Sequence, residues 1–294
     1  MKKQPLLLLI LLSLATLFTA ACGDSSSSVP QFTALTFISN RTVTPATPLF
    51  WSKLDGSAVT AVPFSSNNVY YPSISADGTM VAFYSGSDAW VQKIDGTGAL
   101  NLTTTTASAS EINFVRISPN GKLVMYSEDN DDHIHVIKVD GTGDLDLTPT
   151  FPTGMNDCYS GSFNASSTLI TFVCEGATNW GIYTVKPDGT ATTTVTGTRT
   201  MWTDLASFTP DGKKIIFVGG TETGNDIESV NIDGSSDTVL IPVSYEAIVL
   251  NSTLYYTFND TTLELNQVYK AGLDGSNPVS ISDGLHDDYL ALSD

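Results

Sequence analysis

The chain has 294 residues, of which 31 are Asp or Glu and 13 are Lys or Arg, and its formal charge at pH 7 is −18. An acidic surface of this kind repels phosphate backbones and anionic lipid headgroups, so neither nucleic acid nor an anionic membrane surface is an expected partner of the folded part. The charge favours solubility of an exported protein; the alternative is attraction of cations or basic partners.

The chain begins with two lysines, an apolar run from Leu6 to about Leu17, and small residues that end at Cys22. This layout predicts a secretory signal, and its apolar run is too short for a membrane-spanning helix. The end of the segment, FTAAC, resembles a bacterial lipoprotein signal, which implies cleavage before the cysteine and lipidation of the cysteine itself. We therefore expect residues 1–21 to be removed and Cys22 to carry lipid; the alternative is ordinary secretory cleavage beside a chance cysteine. Removal takes away two lysines and no acid, which gives the mature chain a charge of −20.

Residues 22–31 follow as a Ser-rich and apolar-poor stretch. We interpret them as a flexible tether that spans roughly 30 Å when extended. The residue after Cys22 is Gly23 and not Asp, which in lipoproteins that carry such a signal favours the outer membrane of a Gram-negative host. The expected location is the bacterial cell envelope, with either the periplasmic or the surface side open as an alternative.

An Asp-Gly pair recurs through the rest of the chain at intervals of 40 to 48 residues. The six pairs are Asp55-Gly56, Asp95-Gly96, Asp140-Gly141, Asp188-Gly189, Asp233-Gly234 and Asp274-Gly275. Each copy contains four short β-type runs, which the second copy shows as NVYYPSIS, TMVAFYS, AWVQKID and ALNLT. Asp-Gly suits a tight hairpin turn, and no stretch of the mature chain keeps helical apolar spacing for long. The pattern predicts an all-β protein, a six-bladed β-propeller over residues 32–294 with four-stranded blades.

The two ends of the chain predict how the ring closes. The first copy begins at ALTFISN, which corresponds to the second strand of a blade, and the chain ends with HDDYLALSD, which resembles the missing first strand. We therefore expect residues near 287–293 to complete blade 1 beside residues 34–39.

Cys158 and Cys174 form an even pair once Cys22 is assigned to lipid. They flank two β-rich runs around NASS, and pairing these runs places the cysteines opposite each other or one step from opposite. This predicts a cross-strand disulfide, worth on the order of 3 kcal/mol by the chain-entropy argument. Two buried free thiols are the alternative.

Three copies carry a recognisable motif, namely ISADGTMVAFYS, ISPNGKLVMYSED and FTPDGKKIIFVGG, each followed by a run that ends in Asp-Gly. They resemble the TolB-type, WD-like β-propeller repeat, and the resemblance covers about residues 34–294. It is specific for the fold and not for an activity. It implies a protein-binding or ligand-binding disc held at a membrane.

Propellers usually bind ligands at one mouth of the central channel, near the start of the innermost strands. Two mostly polar levels are predicted there: Tyr70, Asn113, Tyr159, Asp204, Glu246 and Asp288, and two positions earlier Asn68, Glu111, Asp157, Trp202, Ser244 and His286. Oxygen ligands from several blades suit Ca²⁺, for which Asp204, Glu246 and Asp288 are the candidate ligands. A hydrated channel entrance without a metal is the main expectation, and no cofactor is expected.

Blade 3 contains a second group of potential ligands in the segment SEDNDDHIH. Its acids lie in a loop and lack the spacing of an EF-hand, whereas His133 and His135 share one face of a strand because side chains alternate. We interpret the segment as an exposed acidic loop, with a metal site as the alternative.

Motifs for a serine-hydrolase elbow, a zinc-protease helix and a phosphate-binding loop are absent from the sequence. The sequence therefore predicts a monomeric, lipid-anchored propeller that acts as a non-catalytic scaffold for an envelope protein or a small ligand. The alternatives are a channel-Ca²⁺ hydrolase of the lactonase kind and a surface adhesin or glycan-binding module.

Overall fold

The computed structural model describes residues 31–38, 49–54, 57–64, 69–103, 112–128, 133–148, 155–177, 179–199, 203–221, 224–260 and 265–281. These residues form 23 β-strands in six sheets. No helix in the described ranges is long and apolar enough to cross a membrane. The predicted all-β, six-bladed β-propeller is confirmed.

Each sheet is one blade, and its strands are hydrogen-bonded in chain order. Blade 1 contains β1 (Ala34–Ile38), β2 (Leu49–Lys53) and β3 (Thr60–Ala61); blade 2 contains β4 (Tyr70–Ile74), β5 (Met80–Ser85), β6 (Asp88–Lys93) and β7 (Leu100–Asn101); blade 3 contains β8 (Ile112–Ile117), β9 (Leu123–Glu128), β10 (Ile134–Lys138) and β11 (Leu145–Asp146). Blade 4 contains β12 (Met155–Phe163), β13 (Ile170–Gly176), β14 (Trp180–Val185) and β15 (Thr193–Arg199); blade 5 contains β16 (Thr203–Phe208), β17 (Lys214–Thr221), β18 (Gly224–Asn231) and β19 (Thr238–Ile241); blade 6 contains β20 (Ser244–Leu250), β21 (Thr253–Asp260), β22 (Leu265–Ala271) and β23 (Val279–Ser280).

The first strand of each four-stranded blade is the innermost one. Strands β4, β8, β12, β16 and β20 contact one another in succession around the ring. In blade 1, β2 precedes the Asp55-Gly56 position, so β1 corresponds to the second strand of a blade, as the sequence indicates. The strand expected to complete this blade, near residues 287–293, lies outside the described residues.

Apolar packing between the blades holds the ring together. Every apolar cluster among the described residues joins two neighbouring blades. Between blades 3 and 4, for example, Met125 and Leu147 pack with Phe172, and all three side chains are fully buried. Burial of one such side chain contributes about 1.5–3 kcal/mol. Each blade has two apolar faces, since each face packs against a neighbouring blade.

The five Asp-Gly pairs within the described residues form the hairpin turns between the third and fourth strands. In blade 2 the backbone N–H and the hydroxyl of Thr97 both donate to Asp95 Oδ1, at 2.9 and 2.6 Å. Gly96 has a φ of +86°, and a Cβ there would lie 2.8 Å from the side chain of Pro63. The same aspartate geometry recurs at Asp140, Asp188, Asp233 and Asp274. The repeat is therefore set by a local turn chemistry that the sequence shows directly.

The disulfide prediction is also confirmed. Cys158 and Cys174 are direct partners in the pairing of β12 with β13, and their sulfurs are bonded at 2.06 Å. Both side chains are fully buried, in the cluster between blades 3 and 4. Of the two registers that the sequence leaves open, the structure has the one with the cysteines opposite each other.

The disc has two distinct faces. One face carries the turns between the first and second strands and the Asp-Gly turns, which are joined within a blade by bonds such as Ile94 N–H to Thr79 O at 2.9 Å and Val139 N–H to Lys122 O at 3.1 Å. We call this the turn face. The opposite face, where the innermost strands begin, is called the loop face.

Residues 31–33 cross the turn face from blade 6 to blade 2. The Phe32 N–H donates to Asn251 Oδ1 at 3.1 Å, and the Thr33 N–H donates to the carbonyl oxygen of Ala76, also at 3.1 Å. These contacts bridge the inner edge of blade 1. The chain thus enters the propeller at the turn face, next to the hairpin of blade 6.

Candidate functional site

The loop-face mouth of the channel is marked by irregular strands. Each of the five innermost strands that the structure describes has a register shift near its start. The shifts lie at Tyr70/Ser73, Ile112/Phe114, Tyr159/Gly161, Asp204/Ser207 and Ser244/Glu246. A β-bulge inserts an extra residue and redirects the neighbouring side chains. The regular pairing is therefore broken at the mouth where the sequence predicts binding.

Strand register fixes the backbone level of the first set of predicted residues. Four of them pair with equivalent positions of the second strands: Tyr70 with Tyr84, Tyr159 with Val173, Asp204 with Val218, and Glu246 with Thr257. In blade 3, Phe114 occupies this level opposite Ser127, and Asn113 is the inserted residue of the bulge. Asp288 lies outside the described residues. The Ca²⁺ ligands suggested by the sequence therefore stay a prediction.

The second predicted level is described at two positions. Asp157 is exposed and pairs with Glu175. Ser244 is fully buried, and its hydroxyl donates to the carbonyl oxygen of Thr257 at 2.6 Å, which is a structural role. Asn68, Glu111, Trp202 and His286 lie outside the described residues.

Two consecutive tyrosines form the most prominent described feature of the loop-face mouth. Tyr70 and Tyr71 are 48% and 45% exposed, and their ring centroids lie 5.8 and 6.5 Å from that of Tyr84. Successive side chains of a regular strand point to opposite faces. Here the bulge and a φ of +51° at Tyr71 leave both rings exposed. We call Tyr70 and Tyr71 the tyrosine pair.

A groove between blades 5 and 6 opens on the turn face, and the sequence reasoning missed it. The hairpin between β20 and β21 leaves only two residues between its paired ends, Leu250 and Thr253, whereas the hairpin of blade 5 leaves six between Phe208 and Ile215. The shorter turn leaves a cavity of about 680 Å³. The signal was present in the sequence, because the turn in VLNSTLYY is shorter than the turn in FTPDGKKI of blade 5.

The lining of the groove combines apolar side chains such as Leu240 and Leu273 with polar and charged ones. Gln31, Lys214, Asp211 and Asp274 contribute to it. A hydrogen bond from the Thr209 hydroxyl lowers the pKa of Asp211, and one from the Ser276 hydroxyl lowers the pKa of Asp274. Both carboxylates are therefore ionised at neutral pH. Gln31 also lines the groove, so the chain enters the propeller next to it.

A second, smaller cavity lies at the turn face near the entry of the chain. It measures about 80 Å³ and is lined by residues from blades 3 to 6 together with Gln31 and Phe32. Phe163, Phe208 and Val249 give it a partly apolar wall. A cavity of this size holds a few water molecules.

One group of described side chains has the spacing of metal ligands. His133, His135 and Asp146 of blade 3 each offer a ligand atom, and these atoms lie within 4.8 Å of one another. The sequence suggests the two histidines as an alternative site but does not include Asp146. The missing signal was the hairpin register, since counting outward from the Asp140-Gly141 turn places Asp146 opposite His135.

Comparisons with known proteins identify the fold. No family model matches the sequence, and no curated protein matches it significantly. The structure is similar to that of a putative TolB from Agrobacterium tumefaciens, with 19% identity, a TM-score of 0.61, and coverage of 76% of this chain and 84% of that one. It is similar to TolB from Acinetobacter baumannii, with 14% identity, a TM-score of 0.63, and coverage of 86% of this chain and 65% of that one.

An enzyme also shares the architecture. An oligogalacturonate lyase from Vibrio parahaemolyticus is 9% identical, with a TM-score of 0.59 and coverage of 79% of this chain and 70% of that one. Our chain spans slightly less than two thirds of the Acinetobacter protein. At such identities the likeness concerns the fold, which hosts both binding proteins and enzymes. The chain therefore has the fold of a TolB-type β-propeller.

Proposed function

We propose that the protein is a lipid-anchored binding scaffold of the bacterial cell envelope and that it binds a partner protein at its loop face. The tyrosine pair carries this proposal. Exposed tyrosines are enriched in protein interfaces, where they supply large contact areas and often dominate the binding energy. The TolB-type fold supports the same conclusion, because it provides a rigid disc on which such a surface can be presented.

The backbone of Tyr71 supports a functional role for the pair. Its φ of +51° is unusual for a bulky residue. Such a conformation costs on the order of 1–3 kcal/mol. Ser160, the equivalent residue in the bulge of blade 4, has a φ of +50°. The bulge therefore gives this conformation in more than one blade, and what is particular to blade 2 is that its bulge presents two exposed tyrosine rings, as a binding surface requires.

The entry point of the chain orients the disc. Gln31 lies at the turn face, and Cys22, the proposed lipid-bearing residue, is nine residues earlier. Nine extended residues span roughly 30 Å. A lipid on Cys22 would therefore hold the turn face toward the membrane and leave the loop face accessible to a partner.

Site-specific photocrosslinking tests the binding surface. A photoreactive phenylalanine analogue replaces Tyr70 or Tyr71 in the full-length chain expressed in its host, and Val279, which is 51% exposed on the rim of blade 6, serves as the matched control. We expect one envelope protein to be captured from the two tyrosine positions and not from Val279. Capture from all three positions alike, or from none at normal expression, would overturn the proposal.

Membrane fractionation tests the anchor separately. Replacement of Cys22 by Ala should move the protein from the membrane fraction to the soluble fraction, and mass spectrometry of the wild-type N-terminal peptide should show an acylated cysteine. A wild-type N-terminal peptide whose cysteine carries no acyl group would exclude the lipid while leaving the loop-face test intact.

A further inference from the structure

We propose that His133, His135 and Asp146 bind a transition-metal ion at the rim of blade 3, with Zn²⁺ as the best fit. Two imidazoles and one carboxylate form a ligand set that suits Zn²⁺ and neighbouring divalent metals, whereas Ca²⁺ prefers oxygen ligands alone. The three ligand atoms already lie within 4.8 Å of one another. Tetrahedral coordination at about 2.0–2.2 Å needs ligand atoms roughly 3.3–3.6 Å apart, so modest side-chain rotation closes the site.

The strands hold the three residues in place. His135 is the direct partner of Asp146 in the pairing of β10 with β11, and His133 lies two residues before His135 on the same face. Asp146 Oδ1 accepts a hydrogen bond from the Thr148 N–H at 2.9 Å, while Oδ2 lies 3.0 Å from His133 Nδ1. One carboxylate oxygen thus orients the side chain and the other faces the histidine, as a monodentate ligand requires.

A second layer of contacts supports the site. Nδ1 of His135 lies 3.5 Å from Asp144 Oδ1, and the hydroxyl of the buried Tyr126 donates to Asp144 Oδ2 at 3.0 Å. The Tyr126 and His135 rings are stacked with centroids 5.0 Å apart. When Nε2 of His135 takes the ion, Asp144 can accept the Nδ1–H. Carboxylates commonly orient metal-binding histidines in this way.

The exposure of the ligands suits an accessible ion site. The side chains of His133 and Asp146 are 33% and 32% exposed, and that of His135 is 14% exposed. Both ring nitrogens of His135 are buried, so an ion would enter from the side of His133 and Asp146, where water can fill the remaining coordination position. The site is therefore suited to reversible binding at the rim, separate from the loop-face mouth.

Blade 2 supplies a natural comparison. The positions equivalent to His133, His135 and Asp146 hold Asp88, Trp90 and Asn101, counted from the Asp of each Asp-Gly turn. There the Asn101 side-chain amide donates to Asp88 Oδ2 at 2.8 Å. The same backbone frame accommodates a plain hydrogen bond in blade 2 and a metal-ligand set in blade 3.

Metal titration of the purified, untagged chain tests the inference. We expect calorimetry to show one equivalent of Zn²⁺ bound per chain, with no competition from excess Ca²⁺. Co²⁺ should give visible absorption bands that Zn²⁺ removes. Absence of stoichiometric Zn²⁺ binding would overturn the proposal.

A double variant that copies the residues of blade 2 provides the specific control. H133D combined with D146N recreates the Asp–Asn hydrogen bond, so the urea midpoint without metal should stay close to that of the wild type. Zn²⁺ affinity should fall about 100-fold or more, and Zn²⁺ should no longer raise the Tm. H286N, which removes the third histidine of the chain, should bind Zn²⁺ as the wild type does. Unchanged affinity in the double variant, or loss of binding in H286N, would contradict the assignment.

Discussion

Blades 2 and 3 have the same frame and different chemistry. In both, a Thr hydroxyl of the outer segment accepts a hydrogen bond from the third strand, from Ala89 N–H to Thr103 at 3.1 Å and from Ile134 N–H to Thr148 at 3.0 Å. What differs is the small set of rim side chains beside these bonds. The comparison shows that buried apolar side chains and turn residues determine the fold of a blade, whereas the side chains at its rim can vary without altering that fold.

Removal of the buried aromatic side chain of the second strand should have the largest effect on stability in either blade. Phe83 and Tyr126 occupy equivalent second-strand positions, and both are fully buried. We expect F83A and Y126A each to lower the free energy of unfolding by about 3–5 kcal/mol, because each leaves a cavity between blades. Urea denaturation measures this loss. A large effect in only one of the two blades would show that they do not share one packing scheme.

Loss of the Thr hydroxyl should destabilise blade 2 more than blade 3. Thr103 is 2% exposed, and T103V leaves the buried Ala89 N–H without its acceptor, which should cost about 1–3 kcal/mol. Thr148 is partly exposed, so water can replace its hydroxyl and T148V should cost less. Urea midpoints and hydrogen exchange at the Ala89 and Ile134 amides check this order. Equal losses would mean that burial does not set the difference.

Removing the hydroxyl of Tyr126, or adding one to Phe83, should have a smaller effect on stability. Y126F removes the bond to Asp144, which is 37% exposed and can bind water instead, so the loss should be about 1 kcal/mol or less. F83Y adds a hydroxyl in blade 2, where Ala99 stands at the position of Asp144 and offers no acceptor side chain. We expect the unfolding free energy to fall more in F83Y than in Y126F, and the reverse order would contradict the comparison.

The aspartates of the Asp-Gly turns in blades 2 and 3 should titrate alike. Hydrogen bonds from the hydroxyls of Thr97 and Thr142 lower the pKa of Asp95 and Asp140 below the usual 3.8. A lowered pKa in the folded state adds stability above the unfolded value, and this stability disappears as the pH falls through the lowered pKa. NMR titration should place both carboxyls below 3.8, and T97A and T142A should raise them. A pKa at or above 3.8 in either wild-type turn would refute the turn chemistry.

The sequence predicts the parts of the fold that depend on local chemistry. The Asp-Gly turns set the hairpins, and the separation of Cys158 and Cys174 around one turn leaves only two registers for their strands. Bulges escape this reasoning, because counting back from Ile117 to Asn113 assumes one partner per residue. The exposure of Tyr71 depends on such a bulge and on the ring of Tyr84, which no local pattern contains.

Contacts within a blade are more predictable from the sequence than contacts between blades. Within blade 3, Asp146 could have been placed beside His135 from the turn register alone. The groove between blades 5 and 6 required more, because a deletion in the turn of blade 6 becomes a cavity only when blade 5 stands next to it with a full-length turn.

The hydrogen bond between Phe32 and Asn251 also bears on the rate of folding, because it joins residues 219 positions apart. The entropy cost of closing a loop grows with the logarithm of its length, and contacts of such long range form slowly. A chain that emerges N-terminus first must complete five blades before blade 6 can receive Phe32. The first residues of the disc to be made are therefore among the last to be fixed, and ring closure is the step at which we expect folding to be rate-limited.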